Sequence, residues 1–310
     1  MYRDLIIGFD GSRGGRDALA LGRRLALATG ARPTVVCVRS FVALTAEIPA
    51  VAEDYSWGAS VALTLDEARS MLDGVPDARF MAVADTAVAR VLHDAADDAG
   101  AALIVLGATH RSGIGRVVPG TTADAVIRAA PCAVAIAPSG YADAADTRPF
   151  GIVTAAVDGG NETERVARVG ARIARRTGAT LRLATVVTRP YTDGPAFAGN
   201  LGYAALGNAM RAAADGTVER AAGAADADDN VTVERRIVQG RVGEEIARLS
   251  EASDLLVVGS RGYGPLRRVV FASQTPTVIA AAACPVIVLP RHTPEALDEA
   301  VVPFGAATAR

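Results

Sequence analysis

Two acidic residues and two glycine-rich segments hold matching positions in the two halves of this sequence. Asp10 and Asp158 each follow a short apolar run and precede a glycine. The glycine-rich segments begin at Gly107 and Gly259, directly after two further apolar runs. A carboxylate at such a position can accept hydrogen bonds from ribose hydroxyls, and a glycine-rich loop can bring backbone N–H groups against phosphates. A helix starting near Thr121 would add its N-terminal partial charge.

The same residues have an ordinary structural interpretation as well. An aspartate followed by small residues after a strand forms a common turn, and Thr121, Thr122 and Ser273 are residue types that cap helices. Either feature alone fits both interpretations. Because the acid and the loop recur together in both halves, the ligand-site hypothesis is the one the pattern favours.

The elements that must position these residues come from an internal duplication. At an offset of 152 residues, segment 107–122 aligns with 259–274, and Cys132 aligns with Cys284. A period of this length indicates duplicated domains rather than a solenoid. Small and polar residues that end in a proline predict a linker between the copies. The expected organisation is a first domain at 1–138, a linker at 139–149, a second domain at 150–290 and a tail at 291–310.

Within each copy, five apolar runs alternate with segments of helical spacing, such as Val88, Val91, Leu92 and Ala95. The runs 103–106 and 133–136 are continuous, as in parallel strands that are buried on both faces. This order predicts an α/β fold made of two tandem, doubly wound, five-stranded parallel sheets of Rossmann-like type. Such sheets bind ligands outside the carboxyl ends of their strands, where the strand order reverses. The predicted strands are 5–9, 34–38, 78–83, 103–106, 133–136, 152–157, 180–187, 231–238, 255–258 and 286–289.

Composition excludes several functional classes. All 32 basic residues are arginine, so P-loop and Schiff-base lysines are excluded. A net charge of −2 argues against nucleic-acid binding. The longest apolar stretch, 278–289, contains Pro285 and is shorter than the roughly 20 residues of a membrane-spanning helix. The N-terminus lacks the pattern of a signal peptide, which leads us to expect a cytoplasmic protein.

The three cysteines are too few for a disulfide framework and lack metal-ligand spacing, so we expect no metal site. Cys132 and Cys284 are interpreted as small core residues. No Gly-x-Gly-x-x-Gly motif follows the first strand of either copy, which disfavours a dehydrogenase.

Six segments of the sequence resemble motifs of the universal stress protein family in its tandem two-domain form. They are Asp10-Gly11-Ser12, 107–121, 129–134, Asp158-Gly159, 259–273 and 283–288. The resemblance implies a fold of the adenine nucleotide alpha hydrolase type and an adenine-nucleotide site in each copy. In this pattern the acid contacts ribose, backbone at the end of the second strand holds adenine, and the loop holds phosphates. The residues implied are Asp10, Val38, Gly107, Gly120 and Thr121 in the first copy and Asp158, Val186, Gly259, Gly262 and Ser273 in the second.

In members of the family that bind ATP, this loop reads Gly-x2-Gly-x9-Gly-Ser/Thr, and each copy departs from that pattern once. His110 replaces a glycine in the first copy, and Ala272 replaces a glycine in the second. Because alanine is smaller than histidine and Gly262 is retained, we expect the second copy to be the better site. Arginines in the two loops are interpreted either as phosphate ligands or as solvated residues, and these are Arg111, Arg116, Arg261, Arg267 and Arg268.

The leading hypothesis is a cytoplasmic stress-response protein that binds ATP or AMP, with or without Mg²⁺. Nucleotide occupancy would act as a switch, without a dedicated catalytic cycle, although slow ATP hydrolysis is left open. The alternative is a nucleotide-free dimerisation or adaptor protein that uses its final strands as interfaces. The same strands are expected to pair the two halves of the chain, and homodimerisation is left open. An ATP pyrophosphatase-like ligase is disfavoured, because the first loop lacks that class's Ser-Gly-Gly-x-Asp-Ser arrangement.

Overall fold

A computed structural model describes residues 4–39, 50–109, 116–144, 149–188, 201–225, 231–260 and 275–290. In the first half the elements are β1 (Asp4–Gly8), α1 (Arg13–Thr29), β2 (Arg32–Arg39), α2 (Ala50–Met71), β3 (Arg79–Ala84), α3 (Val88–Asp98), β4 (Leu103–Gly107), α4 (Thr121–Ala129) and β5 (Ala133–Ala137). A short helix, α5 (Tyr141–Ala144), follows. In the second half they are β6 (Ile152–Ala156), α6 (Thr163–Thr177), β7 (Thr180–Val187), α7 (Leu201–Ala225), β8 (Val233–Gln239), α8 (Val242–Glu251), β9 (Leu255–Gly259), α9 (Thr275–Ala281) and β10 (Val286–Leu289).

All these strands lie in one sheet, in the order β3-β2-β1-β4-β5-β10-β9-β6-β7-β8. Within each half the strands are parallel, and the predicted α/β architecture is confirmed. Strand order reverses between β1 and β4 and again between β6 and β9. The carboxyl ends of these two strand pairs are therefore the places where such a fold binds ligands.

Continuous apolar strands are buried because helices cover both faces of the sheet. On one face, Ile7 and Leu181 pack in a core with α1, α2, α6 and α7. On the other face, Ile104 and Leu256 pack with α3, α4, α8 and α9. Both cores run through the two halves. In the part of the chain that the structure describes, no helix is both long enough and apolar enough to cross a membrane.

The expected pairing of the two halves through their last strands is confirmed. β5 and β10 are antiparallel neighbours, with Val134 opposite Val288. Next to this seam, the guanidinium of Arg24 lies 3.9 Å from the ring centroid of Phe150 and 3.3 Å from a carboxylate oxygen of Asp254. These contacts join α1 of the first half to the beginning of the second half and to the residue before β9.

The first helix of each half ends in the same way. α1 and α6 both end at a glycine in the left-handed region, Gly30 (φ 70°) and Gly178 (φ 71°), whose amide bonds back to the helix. Only glycine adopts this conformation without strain. The sequence predicts α2 only from Val61, whereas the helix begins at Ala50. The apolar residues of α2 form no clear stripe, which explains why periodicity missed its first turns.

Candidate functional site

Two corners of the fold carry the residues singled out by the sequence. The first corner is formed where β1 and β4 end, at Asp10 and Gly107, and by the starts of α1 and α4. The second corner is formed where β6 and β9 end, at Asp158 and Gly259, and by the start of α6. β1 pairs directly with β4, and β6 with β9, so acid and loop lie side by side in each corner.

Asp10 makes the turn that leads into α1. Its Oδ1 accepts a hydrogen bond from the amide of Ser12 at 2.9 Å, and Gly11 between them has a φ of 79°. The Ser12 hydroxyl then accepts from the amide of Gly15 at 3.1 Å as the N-cap of α1. The turn-and-cap interpretation is therefore confirmed here. The side chain of Asp10 is nevertheless exposed at the mouth of the corner, where a ligand hydroxyl can reach it.

The second corner begins with the same turn but a different helix start. Asp158 accepts from the amide of Gly160 at 3.0 Å, and Gly159 has a φ of 81°. The N-cap of α6 is Glu162, and no side chain caps the helix. The two acids thus have equivalent geometry, and the residues that follow them do not.

Two buried threonines face the turns, and the sequence analysis did not single them out. A Cβ built on Gly11 would lie 3.6 Å from Thr64 of α2, and one built on Gly159 would lie 2.8 Å from Thr217 of α7. The threonines are 153 residues apart, close to the 152-residue offset of the duplication. That spacing is the signal that could have found them.

Arg39, at the end of β2, is a further residue that the sequence analysis missed. Its guanidinium donates to the hydroxyl of Thr64 at 3.0 Å. It also lies beside Cys37, whose pKa is raised by burial, while the charge and hydrogen bond of Arg39 act in the opposite direction. Arg16 of α1 pairs with Glu67 of α2. The hydrogen bond to Glu67 is the main reason that the pKa of Arg16 is raised, and Asp10 adds to the effect.

The backbone of Val38 faces the gap left where β1 has ended. The carbonyl of Val36 accepts from the amide of Phe9 at 3.1 Å, whereas the carbonyl of Arg39 accepts from Asp85 on the side of β3. Because backbone groups alternate between the two sides of a strand, the amide and carbonyl of Val38 point toward the side of Asp10. A planar base could hydrogen-bond to such groups.

Val186 has the same backbone orientation in the second half. The amide of Val157 donates to the carbonyl of Ala184 at 2.8 Å, and the carbonyl of Val187 accepts from Gly240 on the side of β8. The amide and carbonyl of Val186 therefore face the side of Asp158.

Gly107 is required by packing, whatever the corner binds. A Cβ at this position would lie 1.9 Å from the carbonyl oxygen of Gly14, in the first turn of α1. Any side chain would collide with the helix backbone. The absence of a side chain at Gly107 lets the start of α1 rest directly on the end of β4.

The start of α4 also reaches the end of β4. The amide of Thr109 donates to the carbonyl of Val118 at 2.8 Å, and a Cβ built on Gly120 would lie 3.7 Å from the Cβ of Thr109. Gly120, and not Thr121, is the N-cap of α4, and no side chain caps this helix. Among the described residues, the first amides of α4 therefore have no side-chain acceptor, which is the arrangement that binds anions at helix N-termini.

Arg116 contacts the other half of the molecule. Its guanidinium donates to the carbonyl of Ala281, at the end of α9, at 3.1 Å. The neighbouring amide of Val117 donates to the carbonyl of Ala282 at 3.2 Å. Arg116 thus supports the seam between the halves, a role that neither sequence interpretation included.

Several predicted residues lie outside the described part of the chain. They are the site residues Gly262 and Ser273, the two departures His110 and Ala272, and the loop arginines Arg111, Arg261, Arg267 and Arg268. Among the described residues, no three His, Cys, Asp or Glu side chains form a metal-binding group.

A family model for the universal stress protein family matches residues 1–138 and again residues 149–290. The chain belongs to the universal stress protein family. Similar curated proteins include Universal stress protein Rv2005c of Mycobacterium tuberculosis and Universal stress protein Mb2028c of Mycobacterium bovis. Each is 29% identical over 189 residues, and the match spans 61% of this chain and 61% of the relative.

Solved structures of the family share the fold of the whole chain. A universal stress protein from Archaeoglobus fulgidus superposes with a TM-score of 0.65 at 17% identity, covering 93% of this chain and 98% of its own. A putative universal stress protein from Pseudomonas aeruginosa gives a TM-score of 0.59 at 17% identity, covering 93% of each chain. The tandem arrangement recognised from the motifs is thereby confirmed.

Proposed function

We propose that this universal stress protein binds an adenine nucleotide, ATP or AMP, in the first corner, and that occupancy serves as a switch in a stress response. The observation that carries the proposal is the meeting of two helix starts at the end of β4. α1 rests on Gly107, and α4 begins beside Thr109 with uncapped amides. The first amides of α4 are thus the backbone donors open to the phosphates of a nucleotide, since the Ser12 and Gly15 amides at the start of α1 already bond to Asp10 and Ser12.

The other parts of the nucleotide have matching partners in the first corner. Asp10 would accept hydrogen bonds from ribose, the backbone of Val38 would bond the adenine edge, and Gly107, Gly120 and Thr121 would surround the phosphates. Mg²⁺ would accompany ATP through the phosphates, since the described residues supply no metal cluster. The protein would act by binding and releasing the nucleotide, as a sensor rather than as an enzyme.

The alternative adaptor function loses its simplest interface. In that hypothesis, β5 and β10 present their edges to another chain. Each strand is instead paired on both sides within this chain, β5 with β4 and β10, and β10 with β9 and β5. An adaptor would have to use another surface.

Two measurements test the proposal. Purified protein is denatured, and the supernatant is examined by mass spectrometry and ultraviolet absorbance for released nucleotide. Calorimetric titration with ATP and AMP, with and without Mg²⁺, then measures affinity. Asp10→Asn keeps the acceptor for the Ser12 amide but removes the charge, and it should weaken binding about tenfold to a hundredfold, the value of a charged hydrogen bond. Asp98→Ala, at an exposed position in α3, is the control.

No released nucleotide and no binding at millimolar ATP or AMP would refute the proposal. Binding that is equally strong in the Asp10→Asn and Asp98→Ala variants would show that the nucleotide lies elsewhere on the molecule.

A further inference from the structure

The two corners differ at one position that touches the loop glycine. Gly14 lies four residues after Asp10, and Glu162 lies four residues after Asp158. The end of β4 is backed by the backbone of Gly14. At the end of β9, a Cβ built on Gly259 would lie 3.3 Å from the Cβ of Glu162. The second corner therefore contains an acidic side chain where the first has none.

Glu162 is held in this position by Arg165. An Oε2–Nη1 distance of 3.2 Å joins the two side chains, and the same Nη1 donates to the carbonyl of Pro290 at 2.5 Å. The side chain of Glu162 is 21% exposed and that of Arg165 is 14% exposed. The pair thus ties the first turn of α6 to the residue that follows β10.

The equivalent of Arg165 in the first half points elsewhere. Asp17, seven residues after Asp10, is 1% exposed and accepts from the amides of Gly140 and Ala142 at 2.9 and 2.8 Å. It holds the chain segment after β5. No acidic partner at Gly14 accompanies it, because Gly14 has no side chain.

Glu162 is the N-cap residue of α6, at the end of a helix that attracts anions, and its carboxylate pairs with Arg165 rather than with the helix amides. A phosphate bound beside Gly259 would have to share this position with a negative charge. Arg165 also has a buried Nη2 without a hydrogen-bond partner among the described residues. If the carboxylate were removed, this guanidinium would be available to an incoming phosphate.

We propose that Glu162, by placing a negatively charged side chain beside Gly259, excludes phosphorylated nucleotides from the second corner. This inference rests on the proposed function and makes it more specific. The chain binds one ATP, in the first corner. Residue 162 determines whether the second corner can also bind a phosphorylated nucleotide. The first corner is thus the better nucleotide site. The loop residues alone predicted the second, because they do not include the start of α6.

Equilibrium dialysis with radiolabelled ATP and, separately, with adenosine tests the proposal on the full chain. The wild type should bind one ATP, and Asp10→Asn should weaken it. In Glu162→Gly and Glu162→Gln, a second ATP should bind at least about tenfold more tightly than in the wild type, because a nearby like charge is removed. Asp158→Asn should weaken this second ATP. Adenosine, which lacks phosphate, should bind equally to the wild type and Glu162→Gln.

Glu164→Gln is the matched control, since Glu164 carries the same charge on the same helix but is 56% exposed. It should leave the stoichiometry at one. Two ATP molecules on the wild type, or one on both Glu162 variants with circular dichroism unchanged, would overturn the role of Glu162. A gain with Glu164→Gln equal to that with Glu162→Gln would also overturn it. Absence of both ATP and AMP binding in every variant would refute the proposed function itself.

Discussion

Gly107→Ala is the substitution that the structure predicts to be most damaging for its size. The added Cβ would lie 1.9 Å from the carbonyl oxygen of Gly14, so the two backbones must separate by about 1.5 Å to reach ordinary contact distance. Neither partner is a side chain that can rotate away. We therefore expect a cost near the upper end for overpacking, about 3 kcal/mol. For domains of this size, such a cost lowers the melting temperature by about 6 °C or more.

Thermal unfolding followed by circular dichroism measures this effect, with Gly120→Ala as the control in the same corner. A Cβ on Gly120 has 3.7 Å to its nearest neighbour, and the φ of −76° is open to alanine. That variant should melt within about 2 °C of the wild type. ATP affinity should fall in Gly107→Ala, because the start of α1 moves off the end of β4. Equal melting temperatures for the two variants would refute the packing argument.

Three further predictions concern the frame around the corners. Asp17→Ala should destabilise the chain by about 2–3 kcal/mol, measured as a lower urea midpoint, because two amides after β5 lose their acceptor; Asp98→Ala should not. Gly216→Ala, in α7 with nothing within 4 Å of the new Cβ, should stabilise by about 0.5–1 kcal/mol in the same assay, and a loss of stability would contradict the open helix surface. At pH 8 a thiol reagent should label none of the three cysteines in the native state and all three in urea, because burial raises the pKa of Cys132 to about 12 and raises those of Cys37 and Cys284. Because burial raises the folded pKa, the contribution of these neutral thiols to stability is fully present below the pKa of the unfolded thiols and is lost as the pH rises toward the folded pKa. Rapid labelling of the native protein at pH 8 would contradict this burial.

The centre of the sheet was predictable because its strands are continuous apolar runs, whereas the edge strands β3 and β8 are half-buried or exposed and β8 carries charged residues. The strand 180–187 is predicted with its observed bounds, and 286–289 likewise. Both halves repeat the same order of strands and helices, so the elements predicted in one half supported those predicted in the other. Amphipathic helices with a clear stripe, such as α3 and α8, were also predictable. The start of α2 was not, because its apolar residues form no stripe.

The corners were predictable only in part. Strand ends located Asp10 and Asp158, since an acid directly after an apolar run is visible in the sequence. The contact of Arg116 with Ala281 depends on how the two halves meet, and no local pattern contains that information. Glu162 was overlooked for a different reason. Its position becomes informative only when Gly259 is known to lie against the first turn of α6.

A crystal structure of the full chain grown with ATP and Mg²⁺ tests the central claim most directly. We expect one nucleotide per chain, with its ribose at Asp10 and its phosphates at Gly107 and at the first amides of α4. A nucleotide bound only beside Gly259, or phosphates held away from the start of α4, would contradict it.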